Sequence, residues 1–220
     1  MASSINASTS GGGGVIVTSD ATGNLNIQSG GSTVVAVTST GVAVTGTLSA
    51  TGAITGSSTV AGSTGILYPL TSGTTVASTS GTSIDFTSIP SWVKRITVML
   101  NGVSTSGTSP FLIQIGSGSI LTSGYASQSG NRAVDVTSTA GFAITVTGSA
   151  AFLWGGMAAL ATLGSNIWVE SGNTDASAGG SSVNFSAGNV TLGGTLDRVR
   201  ITTVNGTDTF DAGSINILYE

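Results

Sequence analysis

The sequence carries no charged residue between Asp20 and Asp85. This interval consists mainly of Ser, Thr and Gly with small apolar residues, as in VAVTSTGVAVTGTLSATGAITG at 35–56. β-Branched residues and glycines suit strands and tight turns, and both disfavour helices. Because the interval offers little large apolar surface, a single copy folding on itself would bury almost nothing. The interval therefore needs a partner, or it has no fixed structure.

Small apolar residues recur at period two within this interval, as the pairs Val35/Val37, Val42/Val44 and Leu48/Ala50. Glycine-containing steps separate the pairs, which predicts strands of three or four residues. Three copies wound about one axis would bury the apolar edges and pair the open backbone edges. We therefore predict an intertwined trimeric β stem, and disorder is the competing interpretation. The side chains predicted to pack this stem are Val35, Val37, Val42, Val44, Leu48 and Ile54.

The remaining charges, apart from Asp20, and every Trp and Phe lie from Asp85 onward. The Ser/Thr/Gly-rich segment around Pro69 is typical of a linker. We predict an N-terminal attachment arm and stem over 1–70, a linker over 71–81 and a globular domain over 82–220. In that last region, alternating segments recur about every ten residues, which favours an all-β fold with an antiparallel, jelly-roll-like β-sandwich.

The clearest local pattern in the chain is at its C-terminal end. LDRVRITTV at 196–204 alternates apolar and polar residues, Asn205-Gly206 follows, and TDTF leads into SINILYE. An Asn-Gly pair between two alternating segments predicts a β-hairpin. Asn101-Gly102 likewise predicts the end of the strand RITVML.

Composition excludes several classes of function. Five basic against nine acidic residues leave a net charge of −4, so the chain lacks the positive charge that binds the phosphates of nucleic acid. The chain has no His and no Cys, so the usual general base, thiol nucleophile and best transition-metal ligands are missing. The most apolar stretch, Ala150–Gly164, is too short to span a bilayer and favours a pair of buried strands. We predict no cofactor and no membrane insertion, and we assign no metal-ligating residue.

Two pairs of carboxylates remain as candidates for glycoside hydrolysis, Asp208 with Asp211 and Glu170 with Asp175. The same residues could hold Ca²⁺, although no EF-hand-like spacing supports a calcium loop. Both pairs lie beside Gly, Asn or Thr, where turn-forming aspartates also occur. Turn capping is the favoured interpretation, and we predict that the protein is not an enzyme.

A glycan-binding surface needs aromatic faces and polar groups near loops. Tyr125 and Trp154 are beside glycines, which makes them candidates for stacking on sugars. Asn131 and Arg132 lie near a predicted turn and could add polar contacts. Packing in the core or at a subunit interface is the alternative for both aromatic residues.

Three segments resemble those of tailed-bacteriophage tail fibre proteins. INASTSGGGGVIVTSDATGNLNIQSGG with VAVTSTGVAVTGTLSATG resembles their N-terminal shaft. SWVKRITVMLNGVSTSG and LDRVRITTVNGTDTFDAGSINILYE resemble parts of the β-sandwich domains of phage fibre and tail proteins. The resemblance implies a homotrimeric virion component, attached through its N-terminal part to other tail proteins, with a tip that contacts the host surface.

These observations together predict a receptor-binding protein of the virion that recognises host cell-surface polysaccharide. The first alternative is a trimeric capsid decoration protein, whose arm would spread over the head shell. The second is a tail spike that degrades polysaccharide.

Overall fold

The structure is a computed structural model of the 220-residue chain. It describes residues 25–29, 31–45, 60–62, 65–67, 70–178 and 183–220. The described residues form β-strands joined by turns and loops, with no helix, and each strand pairing among them is antiparallel. The all-β prediction is therefore confirmed. In these ranges there is no helix long and apolar enough to cross a bilayer.

The chain divides into two compact units, Met1–Ser58 and Thr59–Glu220. The described part of the first unit is a three-stranded antiparallel sheet in the order β1-β2-β3. Its strands are β1 (Leu25–Ser29), β2 (Ser32–Thr38) and β3 (Gly41–Val44). Gly31 and Gly41 lie at the two connections with φ of 80° and 144°, values that residues with a Cβ rarely adopt.

The second unit contains the remaining described strands. They are β4 (Val60–Gly62), β5 (Gly65–Leu67), β6 (Thr71–Ser72), β7 (Val76–Ala77), β8 (Ile84–Thr87), β9 (Arg95–Thr105), β10 (Phe111–Ser117), β11 (Ser119–Ile120), β12 (Ala126–Gly130), β13 (Asp135–Ser138), β14 (Phe142–Ala143), β15 (Leu153–Gly164), β16 (Ile167–Ala178), β17 (Val183–Thr191), β18 (Arg198–Thr203) and β19 (Phe210–Tyr219). β4 pairs with β5. Within 70–178 and 183–220, the smaller sheet has the order β11-β10-β18-β8, with β14 also on β10. The larger sheet has the order β13-β12-β17-β16-β15-β9-β19-β6, with β7 also on β19.

These two sheets share one hydrophobic core, which gives the unit a sandwich-like architecture. Val98 and Leu160 contribute to the core from the larger sheet, and Ile113 and Val199 contribute from the smaller one. All four side chains are fully buried. Side chains alternate between the two faces of a strand, and these four project into the core that the two sheets share. The face of the larger sheet that points away from this core is called the outer face below.

The predicted linker over 71–81 needs correction. β6 and β7 pair with β19, so this segment is part of the larger sheet. Ser78 is buried, and its hydroxyl donates to the Ala212 carbonyl oxygen at 2.8 Å. The segment covers the edge of β19, whose backbone groups would otherwise be unpaired.

The predicted C-terminal hairpin is also wrong. β18 pairs with β10 and β8, whereas β19 pairs with β9, β6 and β7. Asn205-Gly206 therefore joins the two sheets rather than two neighbouring strands. The Asn205 side chain fixes this corner, since its Oδ1 accepts from the backbone N–H groups of Thr207 and Asp208.

At two glycine-containing sites the sequence predicts the end of a strand, whereas the structure has a continuous strand with a shift in pairing register. β9 continues through Asn101-Gly102 to Thr105, and its pairing with β19 shifts register near this point. Ala150–Gly164, predicted as two strands, is mostly the single strand β15, with a register shift between Trp154 and Gly156. Such β-bulges absorb an extra residue without ending the strand.

Candidate functional site

One face of the first unit's sheet is apolar. Val37 pairs with Leu25 and Val42, and Val35 pairs with Ile27 and Val44. Directly paired residues of antiparallel strands project to the same side. The side chains that share this side, called the stem face below, are Leu25, Ile27, Val35, Val37, Val42 and Val44. All except Val35 are exposed in the single chain, and Val42 is 63% exposed.

The residues predicted for stem packing thus fall partly on this face. Val35, Val37, Val42 and Val44 are brought together there. Leu48 and Ile54 lie outside the described residues. The opposite side of the sheet carries Asn26, Ala36 and Ala43, which form one cross-strand row. Among the paired positions, the larger aliphatic side chains therefore lie on the stem face, whereas this opposite row carries small or polar ones.

Tyr125 does not present an aromatic face to solvent. Its ring is buried and meets the Phe142 ring edge-on, at a centroid distance of 5.0 Å. The Tyr125 hydroxyl accepts a 2.8 Å hydrogen bond from the Ile115 N–H and lies 3.1 Å from the Leu121 carbonyl oxygen. Burial raises the pKa of Tyr125 to about 12. The glycan-stacking prediction for Tyr125 is wrong, and its alternative, core packing, is what the structure has.

Trp154 is likewise in the core. Its side chain is fully buried and meets the rings of Phe111 and Phe152 edge-on. Gly156, two residues on, has a φ of 129°, and a Cβ there would lie 2.3 Å from the Asn173 carbonyl oxygen. The neighbouring glycine therefore marks close strand packing at a bulge, not an exposed loop tip.

Asn131 and Arg132 lie where predicted, in the turn between β12 and β13. Asn131 Oδ1 accepts 2.9 Å hydrogen bonds from the N–H groups of Ala133 and Val134, so this oxygen stabilises the turn. Arg132 is exposed. Together with Asp135 and Phe185, they line a depression of about 440 Å³ on the outer face.

A larger depression, called the polar groove below, runs along the outer face over β13, β12, β17 and β16. Its volume is about 920 Å³. Side chains from four strands line it, among them Ala126, Gln128, Thr137, Val169, Ala187 and Asn189. These outward-facing groups offer amides and a hydroxyl without a formal charge. Such a surface suits shallow hydrogen bonding to a polyhydroxylated ligand.

The four carboxylates of the candidate catalytic pairs lie in different surroundings, and Asp211 is exposed on β19. Asp208 lies in a turn, where its carboxylate accepts from the Ser109 N–H at 3.0 Å and from Asn205 Nδ2 at 2.6 Å. Glu170 points into the sandwich, whereas Asp175 is exposed on the outer face of the same strand. Two carboxylates on opposite sides of a sheet cannot flank one glycosidic bond.

Glu170 itself is an unusual interior group. It is 3% exposed, and its Oε1 accepts a 2.6 Å hydrogen bond from the Ser186 hydroxyl. Among the described residues, Glu170 Oε2 has no hydrogen-bond partner. Burial raises the pKa of Glu170 to about 7, and the Ser186 hydrogen bond opposes that rise.

The exposed aromatic residue that sequence reasoning missed is Phe185. It projects from β17 on the outer face and is 63% exposed, while its neighbours Asn184 and Ser186 are buried. The sequence SVNFS alternates as a strand should, but alternation alone does not say which set of side chains faces the core. A preference for buried aromatic residues points to the wrong set here.

Comparison of the chain with known protein families, curated proteins and solved structures finds no match.

Proposed function

We propose that this chain is a structural protein of a tailed-phage virion. It forms a short homotrimeric tail fibre whose N-terminal part attaches to other tail proteins. Its C-terminal β-sandwich binds polysaccharide on the host surface. The resemblance of the shaft and sandwich segments to phage fibre proteins motivates the proposal, and the exposed stem face is the observation that carries it.

The stem face supports the trimer on energetic grounds. Full burial of one Val, Leu or Ile side chain stabilises by about 1.5–3 kcal/mol. Association costs roughly 4–15 kcal/mol in lost translational and rotational freedom. A trimer incurs this cost twice, and the six partly exposed side chains of each of three chains contribute a gain of the same order when they pack about a common axis. Leu48 and Ile54 would extend the same packing.

The polar groove supports glycan binding. Gln128, Thr137 and Asn189 supply donors and acceptors, while Ala126 and Val169 supply small apolar contacts. Because the groove is a shallow depression on the face of a sheet, each site would bind weakly. Three linked sites strengthen attachment because the later contacts form at high effective concentration.

Two measurements on the phage test this function. Gold-labelled antibody against residues 82–220 should mark the tail of intact virions, whereas label on the head would instead support the capsid decoration alternative. Purified chain, added before the phage, should reduce adsorption to host cells. Release of reducing ends from host polysaccharide would contradict a non-enzymatic fibre.

A further inference from the structure

The strand β17 has its apolar and polar side chains on unexpected sides. Val183 and Phe185 are 49% and 63% exposed on the outer face. Asn184, by contrast, is completely buried, and among the described residues neither polar atom of its amide has a hydrogen-bond partner. Burying an unpaired amide and exposing a phenyl ring are both unfavourable in an isolated chain.

The register of β17 is nevertheless fixed by its other half. A Cβ at Gly188 would lie 2.8 Å from the Phe142 ring, so no larger residue fits at this inward position. A slip by one residue would direct Ala187 or Asn189 into that space. Phe185 is therefore held outward, although its ring is apolar.

Phe185 borders a gap in the outer face, and it is more exposed than any other aromatic residue in the described ranges. It pairs with Gly130, which has no side chain, and Gly130 pairs on its other side with Asp135. Directly paired residues of antiparallel strands project to the same side. With strands about 4.8 Å apart, the Cα atoms of Phe185 and Asp135 are roughly 10 Å apart across the glycine. This gap lies within the depression of about 440 Å³, called the Phe185 depression below.

The charged groups of the Phe185 depression are of both signs. Arg132 and Asp135 line it and are exposed, and among the described residues neither takes part in an ion pair. The guanidinium can therefore donate hydrogen bonds to a ligand, and the carboxylate can accept them. Asp175, which pairs with Val183 on the outer face, adds a second negative charge nearby. Negative charge thus exceeds positive charge around the depression, which disfavours an anionic ligand.

The Phe185 depression continues into the polar groove. Gln128 and Ala187 pair with each other across β12 and β17, and both line the groove as well as the depression. They lie two residues along their strands from Gly130 and Phe185, a spacing of about 6.6 Å. The outer face thus has one continuous path, with amides at one end and an aromatic ring at the other. Such a path suits a chain of linked sugar residues.

We propose that the Phe185 depression is a second subsite for the host polysaccharide and binds an uncharged sugar residue, an inference that rests on the proposed function. The C–H groups of the sugar pack on the face of the Phe185 ring, whose negative side attracts their weakly positive hydrogens. Its hydroxyl groups accept from Arg132 and donate to Asp135. A uronic acid in the same place would be repelled by Asp135 and Asp175.

The salt dependence of binding tests the charge of the bound sugar. The full chain is titrated with polysaccharide extracted from the surface of host cells, and affinity electrophoresis measures the dissociation constant. Because an uncharged sugar forms no ion pair, the constant should stay within about threefold between roughly 0.05 and 0.5 M NaCl. A larger loss of affinity would overturn the assignment to an uncharged sugar.

Variants at residue 185 test the stacking. Phe185→Tyr should keep the native affinity, because it keeps the aromatic face. Phe185→Leu should lower the affinity about tenfold, since leucine is apolar but has no ring. Leu163→Ala is the matched control, because Leu163 is 73% exposed near the turn between β15 and β16 and does not line the depression. This control should bind as the native chain does.

The outcomes separate this inference from the function on which it rests. A native full chain that does not bind the polysaccharide would overturn both. A chain that loses affinity in Gln128→Ala but not in Phe185→Leu would overturn the second subsite alone. Equal losses in Phe185→Leu and Leu163→Ala would also overturn it, because the effect would then not be specific to the ring.

Discussion

The Ser186 hydroxyl donates a 2.6 Å hydrogen bond to Glu170 Oε1 between two neighbouring strands, inside the sandwich. The hydrogen bond favours the ionised carboxylate, but burial outweighs it and raises the pKa of Glu170 to about 7. A carboxyl group that keeps its proton up to neutral pH makes the stability of the fold depend on pH.

The free energy of unfolding should fall as pH rises from about 4.5 to about 7. In this window the unfolded chain has released the Glu170 proton and the folded chain still holds it, so lower pH favours the folded state. The full effect is at most about 3 kcal/mol. Urea unfolding across this range measures it. Glu170→Gln is the control and should remove most of the slope, whereas an unchanged slope in that variant would contradict this role of Glu170.

Gly188→Ala should destabilise the sandwich by about 1–3 kcal/mol. The added methyl group would lie 2.8 Å from both the Phe142 ring and the Ala126 carbonyl oxygen. Gly193→Ala is the matched control, because a Cβ there meets nothing within 4 Å. Thermal unfolding of both variants checks the expectation. Equal melting temperatures would show that the register of β17 is not fixed at residue 188.

Tyr125→Phe should lower the stability of the fold, whereas Gln128→Ala should weaken binding of polysaccharide. Removing the Tyr125 hydroxyl leaves the buried Ile115 N–H without its acceptor, at a cost of about 1–3 kcal/mol in stability. Gln128→Ala removes an exposed amide from the polar groove, so it should weaken retention on host polysaccharide without changing the melting temperature. If Gln128→Ala left retention unchanged, the groove would not be the binding site.

The sequence predicts the fold class well because period-two alternation and glycine spacing are local properties. It predicts the partners of strands poorly. Asn205-Gly206 looks like a hairpin turn, yet the side chains of β18 and β19 belong to different layers, and only long-range packing decides this. The inverted β17 has the same cause, since Gly188 must fit beneath a ring from another segment.

The residues of the candidate site could likewise be predicted from the sequence only where they depend on local structure. Glycines near Tyr125 and Trp154 suggested loops that expose aromatic rings, but near Trp154 they accompany a bulge within a strand. The polar groove combines side chains from two strand pairs that are distant in sequence, β12 with β13 and β16 with β17. Among the candidate glycan-binding residues, Asn131 and Arg132 lie in a turn as the sequence predicts, because a turn between two short strands is a local feature.

The central claim is that the stem face is covered by sister copies, and the oligomeric mass of the full chain tests it most directly. Analytical ultracentrifugation should give three chain masses for the native chain and for Ala43→Asp, whose substitution is on the opposite side of β3. Val42→Asp should give one chain mass, because it places a carboxylate within the packed apolar face. A native chain that sediments as a monomer at micromolar concentration would contradict the account.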